Sequence, residues 1–339
     1  MKKIFAVILM LAVAGAAFAD VAASGRVRVN FGAEIPFQDG DDPTWIFDPH
    51  FRLRFGGGND AVRFWTQFDA NPGGVLTAWR ADATVDLGAV SLSIGRNELP
   101  WMRLSSVAFL GNNNFGWGSS TSNTVGYITA RFMGAYLGLT EAGRISGAYI
   151  TNDSILPDTY SFFIPGFFVG YDFNADTFSV GGAFAGLITN RPVLLPPSRE
   201  NIFSWMGKAH ARFNLDPATI GVNVAFYGAP QFGFFNLPGG AAGITGGADA
   251  LVLEAMLDLG LRLDFGAIGF SGAMIMNVAD ETSGGGGSAL RFGLSCSINI
   301  GGGFMFIPGL FLTHHLSGVG GVDVNDTNMQ IGITFVYNF

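Results

Sequence analysis

The chain has 339 residues, among them 50 glycines, 33 phenylalanines and one cysteine, with 13% charged side chains and a formal net charge of −8. Its three lysines, Lys2, Lys3 and Lys208, and its acidic balance remove the basic footprint that nucleic-acid binding needs. Hydrophobic residues make up 49%, yet beyond the first twenty positions there is no run of about 18 apolar residues, which argues against a helical membrane protein.

In chain order, positions 1–19 read as a secretory signal: Lys2 and Lys3, an apolar stretch from Ile4 to Ala17, then Ala17-Phe18-Ala19 as a cleavage site. The apolar stretch is too short for a spanning helix, and no cysteine follows the site to carry a lipid anchor. The remainder, 20–339, is expected to be a single exported domain.

From there the chain repeats with a period of two. Alternation predicts strands over 21–34, 44–56, 60–70, 75–87, 89–97, 124–140, 144–151 and 160–173. It predicts further strands over 176–189, 201–214, 218–229, 249–265, 267–278, 289–300, 303–316 and 328–339. In the stretch 249–265, Leu251, Leu253, Leu257, Leu259, Leu261, Leu263 and Phe265 hold one parity and Glu254, Asp258, Arg262 and Asp264 the other. A helix would mix the two classes at every turn, whereas a strand keeps them on opposite faces. Cys296 shares its parity with Leu294 and Ile298 and reads as filler of an apolar strand face. The expected count is sixteen strands, within fourteen to eighteen, because Met133-Gly134 or Pro165-Gly166 could hide a turn or bulge.

The links alternate in length. Those at 57–59, 88, 141–143, 174–175, 215–217, 266 and 301–302 are short. Those at 35–43, 98–123, 152–159, 190–200, 230–248, 279–288 and 317–327 are longer, with 71–74 a short exception. This predicts an all-β fold, a transmembrane antiparallel β-barrel with short periplasmic turns and long outer loops. Lipid offers no hydrogen-bond partner, so a sheet crossing it must close and leave no edge. A soluble sandwich also alternates, but its strands average about half these lengths. Trp45, Trp79, Tyr127, Tyr160, Tyr171 and Tyr227 lie within a few residues of expected strand ends, where a bilayer's headgroup zone would hold them.

Phe339, with Tyr337, Phe335 and Ile333 on its parity, resembles the terminal signature of Gram-negative outer-membrane proteins that the barrel-assembly machinery reads. Gly25-Arg26-Val27-Arg28-Val29 is similar to a porin first strand, and Leu92-Ser93-Ile94-Gly95-Arg96-Asn97 resembles the porin sequence before the third outer loop. Sixteen strands with the longest loop after the fifth resemble the general porins. The resemblance implies a bacterial outer-membrane channel for passive diffusion of small hydrophilic solutes and ions, a homotrimer, and a third loop (98–123) folded into the lumen as a constriction. Two departures are a single clear acid in that loop, Glu98, where porin constrictions carry several, and the high glycine content.

With the apolar parity turned to lipid, Arg26 and Arg28, then Asp48, His50, Arg52 and Arg54, then Arg63 and Gln67, then Arg80, Asp82 and Asp86 fall on the inner face of four adjacent strands. A charge on the lipid face costs about 2 to 4 kcal/mol at the bilayer midplane, which favours the lumen for them. Arg28, Arg52, Arg54, Arg63 and Arg80 are therefore expected to line a pore, facing Glu98 and Arg103 of the third loop, and such facing charges would filter ions. The same residues could instead pair into a network that fills the barrel. Glu254, Asp258 and Arg262 form the far wall, where they give weak cation preference or simply wet the surface.

No enzyme is expected. His314-His315 point to opposite faces of a strand and cannot share a metal, and no H-E-x-x-H, phosphate-binding loop or G-x-S-x-G sequence is present. His50 and His210 read as polar lining, Gly284 to Gly287 as a flexible loop, and no cofactor is called for. The apolar third loop, with Trp101, Val107, Ala108, Phe109, Phe115 and Trp117, leaves open a channel selective for hydrophobic compounds. A plugged barrel whose outer loops bind other cells or host molecules is the third reading.

Overall fold

Alternating side chains become strands because each pleat sends successive residues to opposite faces. In a computed structural model of the protein, residues 22–37, 42–70, 76–98, 127–138, 143–151, 166–192, 199–228, 235–236, 251–277, 288–317 and 327–339 are described. The first strands are β1 (Ala22–Pro36), β2 (Thr44–Gly58), β3 (Val62–Ala70), β4 (Leu76–Asp86), β5 (Val90–Glu98) and β6 (Tyr127–Gly138). Next come β7 (Gly143–Thr151), β8 (Gly166–Asn174), β9 (Phe178–Pro192), β10 (Arg199–Leu215), β11 (Ala218–Gly228) and the two-residue β12 (Phe235–Asn236). The last are β13 (Leu251–Leu263), β14 (Gly266–Asn277), β15 (Ser288–Gly301), β16 (Phe304–Ser317) and β17 (Thr327–Asn338).

All ladders are antiparallel. Each long strand pairs with the next long one, and β1 pairs with β2 along one side and with β17 along the other, Arg26 opposite Asn338 and Pro36 opposite Asn328. Gly25 and Phe339 exchange reciprocal backbone hydrogen bonds of 2.8 and 3.0 Å beside this ladder. A Cβ at Gly25 would collide with the Phe339 ring, so the glycine leaves the space that the ring occupies.

The expected strands correspond closely to those observed. Through Met133-Gly134, β6 runs in unbroken register with both neighbours, and β8 begins at Gly166, directly after Pro165. The expected start of that strand, 160–165, lies outside the described residues. One expectation is corrected: 230–248, read as a loop throughout, contributes β12, which pairs with Tyr127 and Ile128 of β6. Trp79, three residues into β4, stands between the partners of Gln67 and Phe68 as the extra residue of a bulge.

Links at one end are tight and chemically specified. The Asn59 side-chain oxygen accepts hydrogen bonds from the amides of Ala61 and Val62, both 2.9 Å, and Asp86 accepts one from Gly88 at 2.9 Å. Gly88 itself adopts φ +88°, where a side chain would be strained.

Burial is inverted relative to a water-soluble protein. Phe47, Phe167, Val169, Leu257, Leu294, Ile331 and Phe335 are exposed on the outer face, while Asn30, Gln67, Asn223, Glu254, Asp258 and Thr334 are buried on the inner one. Cys296 shares the outer parity with Leu294, as expected.

Candidate functional site: two polar walls inside the sheet

The first wall is built by register. Arg26 stands opposite Arg52 and Arg28 opposite His50 across β1 and β2, and Arg52 opposite Asp69 and Arg54 opposite Gln67 across β2 and β3. Residues directly opposite share a face, so the arginines from adjacent strands are stacked side by side. One carboxylate organises them. Asp69 accepts a two-pronged pair from Arg52 at 2.9 and 3.0 Å, the amide of Gln67 at 3.0 and 3.1 Å, and has the His50 ring 3.7 Å away. Arg52's planar fork matches the two carboxylate oxygens, which fixes the guanidinium as well as pairing it.

Gln67 relays this order onward. Its carbonyl accepts from Arg54 at 2.8 Å, and the Arg54 guanidinium lies 5.8 Å from the centroid of Trp65. Higher on the wall, Thr334 donates to Asn30 at 2.8 Å and Asn30 donates to Asp48 at 3.1 Å, tying β17, β1 and β2 together. Side-chain exposure is 18% for Arg52 and 13% for Asp69, and Arg54 is exposed. The wall is ordered but reachable from water.

The second wall is sealed. On β11 and β13, Tyr227 donates to Glu254 at 2.8 Å, and Asn223 lies 3.5 Å from Asp258. Glu254 is 1% exposed and Asp258 2%, with Lys208 from β10 and Arg291 from β15 interacting electrostatically with Glu254. Arg291 also approaches Thr313 of β16 at 3.4 Å. Met206, Val252, Met256 and Ala289 are buried on the same inner face, so these ions sit among apolar neighbours.

The expected residues distribute as follows. Arg28, Arg52 and Arg54 come together on the first wall, and register puts Arg80 opposite Gln67 on the same face. Arg63 is instead 64% exposed beside the tight turns and reaches Asp86 at 3.8 Å. Glu254 and Asp258 lie together, while Arg262 is exposed near the β13–β14 turn. By register Glu98 pairs with Thr129 at the end of β5, and its side chain lies outside the described residues. Arg103 lies outside the described residues, as does most of 98–123. Phe335 and Phe339 are exposed on the outer face, with the Tyr337 ring stacked 5.7 Å from that of Phe339 and 4.2 Å from that of Phe304. His315 is buried inside while His314 lies 2.9 Å from Thr327, in agreement with opposite faces.

Tyr227 overturns its expected place in the headgroup zone, because it shares the inner parity of Asn223 and is fully buried. Sequence reasoning also passed over Asp69, Lys208 and Arg291. Their parity was readable, since Asp69 follows Arg63 and Gln67, and Lys208 precedes His210. What parity did not supply was the partner on another strand.

No protein-family model and no curated protein sequence matches the chain. Solved structures do match. The anion-selective porin from Comamonas acidovorans superposes with a TM-score of 0.65 at 12% identity, over 94% of this chain and 100% of that one. OmpT, an outer membrane protein of Vibrio cholerae, in its trimer form, matches with a TM-score of 0.58 at 10% identity, over 95% of this chain and 99% of that one. A substituted form of the Rh. blastica porin matches with a TM-score of 0.54 at 13% identity, over 94% and 100%. At such identities the likeness is one of fold: the chain has the antiparallel, all-β fold of the porins.

Proposed function

We propose that the protein is a sixteen-stranded barrel in a bacterial outer membrane that admits small hydrophilic solutes and ions by passive diffusion. The observation that supports the reading is the inversion of burial on a sheet whose first strand pairs with its last: apolar side chains on one face, hydrogen-bonded ions on the other. Such a surface suits lipid, and sixteen or more strands enclose an aqueous channel.

The mechanism is electrostatic filtering without chemistry. Arg52 and Arg54 are held rigid by Asp69 and Gln67, so they present fixed charge without reorganising as an ion passes. The far acids Glu254 and Asp258 are buried, Glu254 beside Lys208 and Arg291, and contribute little field to water. The first wall therefore sets the sign, and the channel is expected to prefer anions. In this reading the 98–123 loop narrows the lumen, three copies assemble as a trimer, and Phe335, Tyr337 and Phe339 serve as the barrel-assembly signal.

Single-channel conductance of refolded protein in planar bilayers, with reversal potential under a salt gradient, tests it. Discrete steps with an anion-selective reversal potential are expected. A folded protein that gives no steps overturns it in favour of a plugged barrel acting through its outer loops, a second reading favoured by the burial of the second wall.

A further inference from the structure

Four guanidiniums crowd the first wall against two nearby carboxylates. Register sets Arg26 directly opposite Arg52, with Arg28 and Arg54 also acting on that neighbourhood electrostatically. Like charges so placed are unfavourable without a counter-ion. Asp69 is already committed, because a carboxylate has about four acceptor positions and Arg52 and Gln67 take two each, at 2.9 to 3.1 Å. Asp48 accepts from Asn30 at 3.1 Å and lies in the field of Arg28. Arg26 Nε is buried with no hydrogen-bond acceptor, and Nδ1 of His50 is buried with no partner. A buried donor that makes no hydrogen bond bears its full desolvation cost, so an oxyanion brought to Arg26 would be stabilised by both charge and geometry.

A ring lies beside these donors. Among the described residues of β1 to β3, Trp65 is the one aromatic at an inner position: it shares the parity of Gln67 and Asp69 and stands opposite Gly56, which places no side chain over the indole. The exposed Arg54 guanidinium is 5.8 Å from its centroid. An indole face next to a water-accessible guanidinium offers stacking and charge side by side. Asp69 already displays the polar half of such recognition, a carboxylate gripped by the two prongs of Arg52. Arg54 and Trp65 flank the turn that joins Gly58 to Val62, so they sit at the short-link end of the sheet, opposite the end that carries the 98–123 link.

We propose that Arg26, Arg54 and Trp65 form a subsite for aromatic carboxylates, whose carboxylate meets the two guanidiniums while the ring lies on the indole. The subsite rests on the channel reading above for its supply of solute, and a binding measurement tests it separately. Refolded protein in detergent is titrated with para-fluorobenzoate, fluoroacetate or para-fluorobenzyl alcohol, and binding is read from fluorine NMR line broadening beyond that of protein-free micelles. The native chain is expected to bind para-fluorobenzoate saturably and about two- to tenfold more tightly than fluoroacetate. R26Q is expected to weaken both carboxylates about tenfold or more. W65L is expected to abolish the preference for the ring, and W65F to restore part of it. R26K, which keeps the charge and loses the fork, is expected to fall between the native chain and R26Q and serves if R26Q does not fold.

Equal binding of the two carboxylates by the native chain overturns the proposal, because the indole then contributes nothing. So does para-fluorobenzyl alcohol binding as tightly as para-fluorobenzoate, which would mark an apolar patch without an oxyanion site. If R26Q and W65L lower the unfolding midpoint while para-fluorobenzoate binding survives both, the residues are structural and the proposal fails. Conductance is recorded on the same preparation. Ring-selective carboxylate binding without conductance steps supports this site while overturning the channel, and steps without selective binding do the reverse.

Discussion

The two inner walls carry similar chemistry and differ in access to water. On the wall of β1 to β3, Asp69, 13% exposed, gathers Arg52, Gln67 and His50 around it, and Arg54 stays exposed. On the wall of β10 to β15, Glu254 meets Tyr227, Lys208 and Arg291 at 1% exposure. Coulomb interactions are several-fold stronger away from water, and removal of one member of a buried pair leaves its partners' desolvation uncompensated. The first wall is therefore open to water and the second is closed to it. Identical alternation along the chain produces both.

Substitutions can break that contrast. The largest effect is expected from Glu254→Leu, which takes away the carboxylate facing Lys208 and Arg291 and should cost about 3–5 kcal/mol of stability, read from urea unfolding in detergent. A change within about 1 kcal/mol would mean that the second wall is not a stability element. Tyr227→Phe removes only the donor to Glu254 and should cost about 1.5–3 kcal/mol by the same measurement, with ion preference unaltered.

On the first wall the order of effects reverses. Arg52→Gln with Arg54→Gln should move the reversal potential toward cations, with a stability change of about 1 kcal/mol. The shift should shrink as salt rises from about 0.1 M to 1 M, where the screening length falls from about 10 Å to 3 Å. An unchanged reversal potential would remove the arginines from the filter. Arg63→Gln sharpens the comparison from below: its 3.8 Å contact with Asp86 is solvent-exposed, so stability should change by about 0–1 kcal/mol and selectivity hardly at all.

Much of this arrangement was legible because a strand sends alternate residues to opposite faces and the two faces here carry opposite chemistry. The leucines and acids of β13 were separable by counting, and parity alone put Arg28, Arg52 and Arg54 on one face. Strand ends were legible from turn chemistry such as Asn59 and Gly88. Other features depend on which strand lies beside which. Asp69 is unremarkable until β2 brings Arg52 to it, and Tyr227 looks like a rim aromatic until β13 brings Glu254. Trp79 hides a bulge because the extra residue interrupts the period locally, and Phe235–Asn236 is too short for any period to show.

The hydrogen bond between Thr334 and Asn30 spans 304 residues of chain. Hairpins at the short-link end of the sheet zip up from turns of a few residues, whereas the β1–β17 seam joins segments made at very different times on the ribosome. Bringing such distant segments together costs about 4 kcal/mol more loop-closure entropy than a three-residue turn. That seam is therefore expected to form last, and the growing sheet must pass through a stage with two raw edges, each able to recruit the wrong strand. Safe delivery of this protein is a problem of guarding those edges until β17 arrives.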